Sequence, residues 1–300
     1  MKTHKHTTSA PAFIRAVSAT LVAFLKNACN ALNASPRLAA HASVLCLLAA
    51  VFCLQASATT IVKVSVGNQH SLYLTNDGKL YGMGANNYGQ LGVSGTDDRL
   101  TPVLIDSGVA DMSAGSFFTL YVKGDGTLWA TGNNANGQLG LGDTNIRTAP
   151  VQVPVPGGAT VATVSAGQWH TFFVTRAGVL YGMGANNYGQ LGDYSSTEQH
   201  SPELIDGSGI VALAVAGYQH SMYLLTNGNL LAMGWNANYE LGTGDTTNRA
   251  SPILVGGKVT VMAAGGGHSL FIGSVTPTGA GGYFQGMGAG SYGQLVPVKK

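Results

Sequence analysis

An all-β fold assembled from repeated four-stranded units is the expectation for this chain, and three observations carry it. The segment GANNYGQLG at Gly84–Gly92 returns as GNNANGQLG at Gly132–Gly140 and unchanged at Gly184–Gly192, then weakens to GWNANYELG at Gly234–Gly242 and GAGSYGQLV at Gly288–Val296. The first glycines of these copies lie 48, 52, 50 and 54 residues apart, and a fixed period of that size marks a repeat architecture. Each copy also holds short β-branched or aromatic runs separated by glycine turns, while helical periodicity is absent after residue 58.

The first copy sets the grammar. Ile61–Val66 is β-branched and reads as a strand, and Gly67–His70 reads as a turn. Ser71–Thr75 is a second strand, closed by the turn Asn76–Asp77–Gly78, where glycine accepts positive φ. Lys79–Gly84 is a third strand, followed by a long loop through Gly92 to Leu100. Thr101–Ile105 is a short fourth strand, and Pro102 suits an outer position where no ladder donor is needed. The hairpin turns recur as Asp125–Gly126, Ala177–Gly178 and Asn227–Gly228, and the prolines as Pro150, Pro202 and Pro252. Four strands per copy, arrayed radially, make the blades of a β-propeller, and residues 59–300 are of a length acceptable for one all-β domain.

Residues 1–58 belong apart. They carry Lys2, Lys5, Arg15, Lys26 and Arg37 with no acidic residue and no glycine, then an apolar run over Leu38–Leu54, and they end in Ala56–Ser57–Ala58. A basic stretch, an apolar run and a small-x-small site form a secretory leader, expected to be cleaved after Ala58. An uncleaved membrane anchor and a mitochondrial transit peptide are the alternatives. Cys29, Cys46 and Cys53 all lie in this leader, so the remainder has no disulfide framework, thiolate metal site or cysteine nucleophile. The whole chain has 15 basic and 13 acidic residues; without the leader, ten basic residues face thirteen acidic ones. That balance offers no broad cationic footprint for nucleic acid or anionic lipid.

The G-x-x-H turns (Gly67/His70, Gly167/His170, Gly217/His220, Gly265/His268), the G-x-N-x-x-G-Q-L-G loops and the tails Gly142–Pro150 and Gly244–Pro252 resemble the regulator of chromosome condensation repeat family, over about four-fifths of the chain. The resemblance implies a propeller whose blades are these repeats. Family propellers typically have seven blades, whereas five copies are counted here. The fifth is odd, with a hairpin lengthened to Ser274–Gly282 and a final loop running into Val296–Pro297–Val298. Three outcomes stay open: a five-bladed ring latched by the C-terminal strand, an incomplete chain, or an open arc whose strand edges favour self-pairing.

The repeated polar residues are read as scaffold. His70, His170, His220 and His268 share one slot that holds Phe118 in the second copy; a packing slot accepts that exchange and a metal site does not. A backbone-bound imidazole is expected there. Gln90, Gln138, Gln190 and Gln294, like Asn86, Asn134, Asn186 and Asn236, are expected to tie loops between blades through their amides. Gly82 and Gly84 are expected to allow close approach near the axis. Tyr88, Tyr188, Tyr239 and Tyr292 recur at nearly one slot and are counted with the scaffold. Asp143 and Asp245 could hold calcium, but Ser94–Gly95 breaks that pattern in the first copy. No catalytic constellation, metal site or cofactor motif stands out, since a dinucleotide fingerprint needs a following helix.

Residues that vary between copies are the candidates for recognition. Asn68, Gln69, Phe117, Trp169 and Tyr218 occupy the free positions of the G-x-x-H turns, and Trp235 lies in the fourth long loop. Large aromatics dominate interface hot spots; the competing expectation is that they cover the top layer or plug the channel. The chain thus reads as an exported, non-enzymatic scaffold, secreted, periplasmic or at the cell surface, that binds a protein partner through rim loops. Exported β-lactamase-inhibiting members of the resembled family offer a precedent for that mode, though not for the target. The same resemblance implies an alternative, guanine-nucleotide exchange on a small GTPase. A glycan lyase or hydrolase is the third reading, and it lacks a cluster of acids and bases.

Overall fold

A computed structural model of the chain describes residues 59–274 and 282–289. Four four-stranded antiparallel sheets and a fifth of three strands follow one another in chain order. The first blade is β1 (Ile61–Val66), β2 (His70–Thr75), β3 (Leu80–Gly84) and β4 (Arg99–Asp106). The second is β5 (Val109–Ala114), β6 (Phe118–Lys123), β7 (Leu128–Gly132) and β8 (Arg147–Gln152). The third is β9 (Val161–Ala166), β10 (His170–Thr175), β11 (Leu180–Gly184) and β12 (Gln199–Asp206). The fourth is β13 (Val211–Ala216), β14 (His220–Leu225), β15 (Leu230–Gly234) and β16 (Arg249–Gly256). The fifth is β17 (Val259–Ala264), β18 (His268–Ser274) and β19 (Gly282–Gly288). A single 3-10 turn at Pro156–Gly158 joins the second blade to the third. Among the described residues no helix is long and apolar enough to cross a membrane.

The radial arrangement is visible at the inner strands. The ends of β1, β5, β9, β13 and β17, from Val66, Ala114, Ala166, Ala216 and Ala264 onward, converge on one shallow axial depression of about 160 Å³. Pro102, Pro150, Pro202 and Pro252 all fall in the outermost strands, where a missing N–H leaves no gap in the ladder.

Between blades lie the hydrophobic cores, one per seam. Leu72, Leu74 and Leu80 of the first blade meet Val109, Met112 and Tyr121 of the second. Phe118, Leu120 and Leu128 then meet Val164, Phe173 and Met183, and the pattern repeats through Phe271 and Met287 of the fifth blade. The second, third and fourth blades are thus sealed on both faces by neighbours, and burial of that kind is the main stabilising term of the array. A second layer is polar. Ser65, Ser113 and Ser165 accept the N–H of Ala114, Ala166 and Ala216 on the next inner strand, each at 3.0 Å.

The described blades form an open arc. The rear face of the first blade and the forward face of the fifth are exposed where every internal seam is buried. The C-terminal strand expected to latch a five-bladed ring, Val296–Pro297–Val298, lies outside the described residues, as do Tyr292, Gln294 and most of the lengthened fifth hairpin.

Candidate protein-binding rim

Two loops of each blade reach the same end of the propeller because β2 and β3 pair with His70 opposite Gly84. The long loop is sewn to the G-x-x-H turn at its first residue. Ala85 N–H donates to Gln69 carbonyl at 2.8 Å, Asn133 to Phe117 at 2.9 Å, Ala185 to Trp169 at 2.8 Å and Trp235 to Gln219 at 2.9 Å. Gly84 has φ 107°, and a Cβ there would lie 2.5 Å from the Gln69 carbonyl oxygen. Glycine is required by contact with the turn, not by crowding at the axis. The turns are themselves chained around the axis, Asn68 N–H to Ser116 carbonyl at 3.1 Å, Gln168 to Gly217 at 3.2 Å and Tyr218 to Gly265 at 3.1 Å.

Each long loop is then tied to itself. Asn86 Oδ1 accepts from Leu91 N–H at 3.0 Å, and its Nδ2 donates to Gly95 carbonyl at 3.0 Å. Gln90, Gln138 and Gln190 accept at Oε1 from the N–H two residues earlier, Tyr88, Asn136 and Tyr188. Glu240 does the same for Asn238. These amide side chains work within a blade, against the expectation that they bridge blades.

The bridging is done by hydroxyls and histidines. Thr119 Oγ1 donates to Gln90 carbonyl at 2.7 Å, Thr171 to Gln138 at 2.9 Å and Ser269 to Glu240 at 3.0 Å. His70 Nε2 lies 3.1 Å from Thr119 Oγ1, His170 2.8 Å from Ser221 Oγ, and His220 2.8 Å from Ser269 Oγ. The imidazoles therefore bond to side chains of the next blade rather than to backbone. Burial pulls His70 and His220 from 6.5 down to about 4 and His170 to about 3, so all three are neutral near pH 7. His268 is less buried and makes no such bond among the described residues.

The acidic loops are also engaged. The Arg147 guanidinium lies 2.7 Å from Asp143 and holds its carboxyl below the usual range. Asp245 accepts from Thr247 N–H and pairs with Arg249 at 2.7 Å. Each of these aspartates is thus paired with an arginine of its own loop, and no group of three potential metal ligands exists among the described residues.

What remains free is aromatic. Phe117 and Trp169 lie with ring centroids 5.6 Å apart, and Tyr88 adds to Phe117 at 5.3 Å. Trp235 packs edge-on against Tyr188 at 4.5 Å. Tyr218, half exposed, and Asn68, exposed, border the axial depression, and Gln69 is exposed beside them. The rim is thus a run of three rings, a separate pair, and a polar axial ring, all partly open to solvent. Tyr88 and Tyr188 belong to this surface rather than to hidden scaffold; their position beside the variable turn residues was the signal. Tyr239 occupies a different slot, replacing the glycine at Gly89, Gly137 and Gly189, and it keeps the positive φ of that position at 68°. A cavity of about 430 Å³ lies at the opposite end between the Asp125–Thr127 turn and the Gln152–Thr160 connection, a segment that sequence inspection passed over.

The family model for the RCC1-like domain matches residues 47–271. The ultraviolet-B receptor UVR8 of Arabidopsis thaliana is 31% identical over 149 residues, 48% of this chain and 34% of the receptor. Human WBSCR16 superposes with a TM-score of 0.64 at 24% identity, covering 71% of this chain and 59% of that one. Prp20p of Saccharomyces cerevisiae gives 0.63 at 20% identity, over 70% of this chain and 55% of its own. The chain spans about a third of the receptor's length and little more than half of the two solved chains.

Proposed function

The chain belongs to the RCC1-like domain family, and from that premise we propose that it is an exported, non-enzymatic scaffold that grips a protein partner with the aromatic rim. The observation that carries this reading is the Tyr88–Phe117–Trp169 run. Rigid loops sewn by backbone hydrogen bonds hold three large rings partly exposed, at positions that vary between blades. Such pre-organisation lowers the ordering cost of association, and aromatic anchors contribute most of the energy in protein interfaces. The family's general use as a protein-interaction scaffold agrees with it. Export rests on the acid-free basic stretch, the apolar run and Ala56–Ser57–Ala58. A non-enzymatic role rests on the engagement of the repeated histidines and loop aspartates in the scaffold itself.

The test is capture and cross-linking of partners by the purified protein, compared with a Phe117→Ala/Trp169→Ala variant. Truncating two hot-spot rings is expected to weaken the partner's affinity by at least ~30-fold, about 2 kcal/mol. Unchanged affinity for every partner would remove the rim from the reading. Mass determination of the N-terminus after expression checks export, with Thr59 expected as the first residue.

Prp20p, characterised for its binding to Gsp1p and histones, keeps the exchange-factor alternative in view. A nucleotide-release assay on candidate GTPases separates the two, because a scaffold leaves the release rate unchanged.

A further inference from the structure

The two ends of the arc are unfinished seams. At each internal seam the later blade presents the first and fourth residues of its inner strand, and they are buried, as at Val109 and Met112, while the sixth is buried or half-buried, as at Ala114 and Ala166. In β1 the same positions are Ile61, Val64 and Val66, which are 60%, 68% and 72% exposed. At the other end, Ile272 and Phe284 are 42% and 51% exposed. They pair across β18 and β19 as Leu74 and Leu80 pair across β2 and β3, and those counterparts are buried.

The polar layer is divided in the same way. Three internal seams join a histidine of the earlier blade to the hydroxyl of the residue after the equivalent slot in the later one. The fifth blade retains the histidine half as His268, and the first retains the hydroxyl half as Ser71. Neither side chain has a hydrogen-bond partner among the described residues. Each end therefore offers what the other lacks, in apolar shape and in hydrogen bonding, and both faces continue an interface already made four times within the chain.

We infer that a second copy of this chain supplies the missing neighbour, the forward face of the fifth blade in one copy seating on the rear face of the first blade in another, with His268 opposite Ser71 of the second copy. Among the described residues no strand of the first blade pairs with a strand of the fifth, and both faces stay open. The pairing uses a surface apart from the rim and stands whether or not the rim binds a partner. It is heterologous, one kind of face against a different kind, and so extends to further copies unless the rotation closes a ring.

The measurement is the scattering mass of the full chain across an about hundredfold dilution series, because association is concentration-dependent. The wild type is expected to exceed the protomer mass and to fall towards it on dilution. Val66→Lys spoils only the rear face and Phe284→Lys only the forward face, so each alone is expected to be a single protomer. Mixed, they retain one good face of each kind and are expected to form a one-to-one dimer that grows no further. A wild type at protomer mass throughout overturns the inference and assigns the faces to another segment or partner. Loss of association in one variant but not the other overturns it in favour of like-with-like pairing. Hydrogen exchange of the wild type gives a second readout independent of the variants' folding: β1 and β18 are expected to slow together as concentration rises, and no slowing overturns the proposal.

Discussion

His70, His170 and His220 show how one repeated residue type can look functional and be structural. Each imidazole is buried, neutral and bonded through Nε2 to a hydroxyl across a seam, while its Nδ1 has no partner. Their folded pKa values, about 4, 3 and 4, lie below the 6.5 of an unfolded histidine. The unfolded chain therefore binds more protons between these limits, and their contribution, whole above pH 6.5, is lost as the pH falls towards 4. Near pH 5 three protons separate the two states, so unfolding free energy is expected to fall by ~4 kcal/mol per pH unit. Chemical denaturation from pH 8 to 4.5 measures that slope. The second blade supplies the control, since Phe118 packs against Gly115 as His70 packs against Gly67, and Thr171 still reaches Gln138 carbonyl. His70→Phe is accordingly expected to cost only about 1 kcal/mol at pH 8 and to reduce the acid slope by one proton. An unchanged slope would show that burial of His70 does not govern its titration.

Inner-strand serines are the corresponding device at the level of the strand. Ser165 Oγ takes the Ala216 N–H at 3.0 Å, and Ala216 is buried. Ser165→Ala is expected to leave that donor without a partner and to lower stability by ~1–3 kcal/mol, read as a drop in melting temperature. Val215 holds the equivalent place in β13, and that seam relies on Met222, Met262, Phe271 and Met287 instead. Strand order, hairpin turns and outer prolines were legible in the sequence because each follows from local pattern: β-branched runs, Asp–Gly or Asn–Gly pairs, and a residue without an N–H. Strand limits shifted by a residue or two, with β4 running from Arg99 to Asp106 rather than Thr101–Ile105. The partners of the polar side chains were not legible. Whether Gln90 turns inward to Tyr88 or outward to the next blade depends on how two loops dock, which spacing along the chain does not encode. Likewise the contact of Tyr88 with Phe117 joins residues of adjacent blades. The aromatics at the turn positions were identified as rim residues, but their grouping into a run of three and a pair needed the radial geometry.

At the scale of the molecule, blades touch only their neighbours in sequence, so stability is close to a sum of blade and seam terms. Seams differ in what they contain. The second and third blades share the largest core, with eleven buried residues from Phe118 to Met183, and Asp111 ties three blades together by pairing with Lys63 and accepting the Val164 N–H. Among the described residues the first blade has one seam instead of two, and its inner strand β1 is mostly exposed. The fifth also has one seam, without the serine bond of the earlier ones. Local opening free energies are set by buried apolar contact and shielded hydrogen bonds, so protection is expected to peak in β6 and β10 and to decline towards β1 and β18. Hydrogen exchange with mass analysis, done dilute enough that single protomers dominate, measures this profile. Equal protection in all five blades would mean that the array opens only as a whole, and that seam coupling exceeds the differences among seams. A graded profile would instead place the weak points at the two unfinished faces, where an added seam raises stability most.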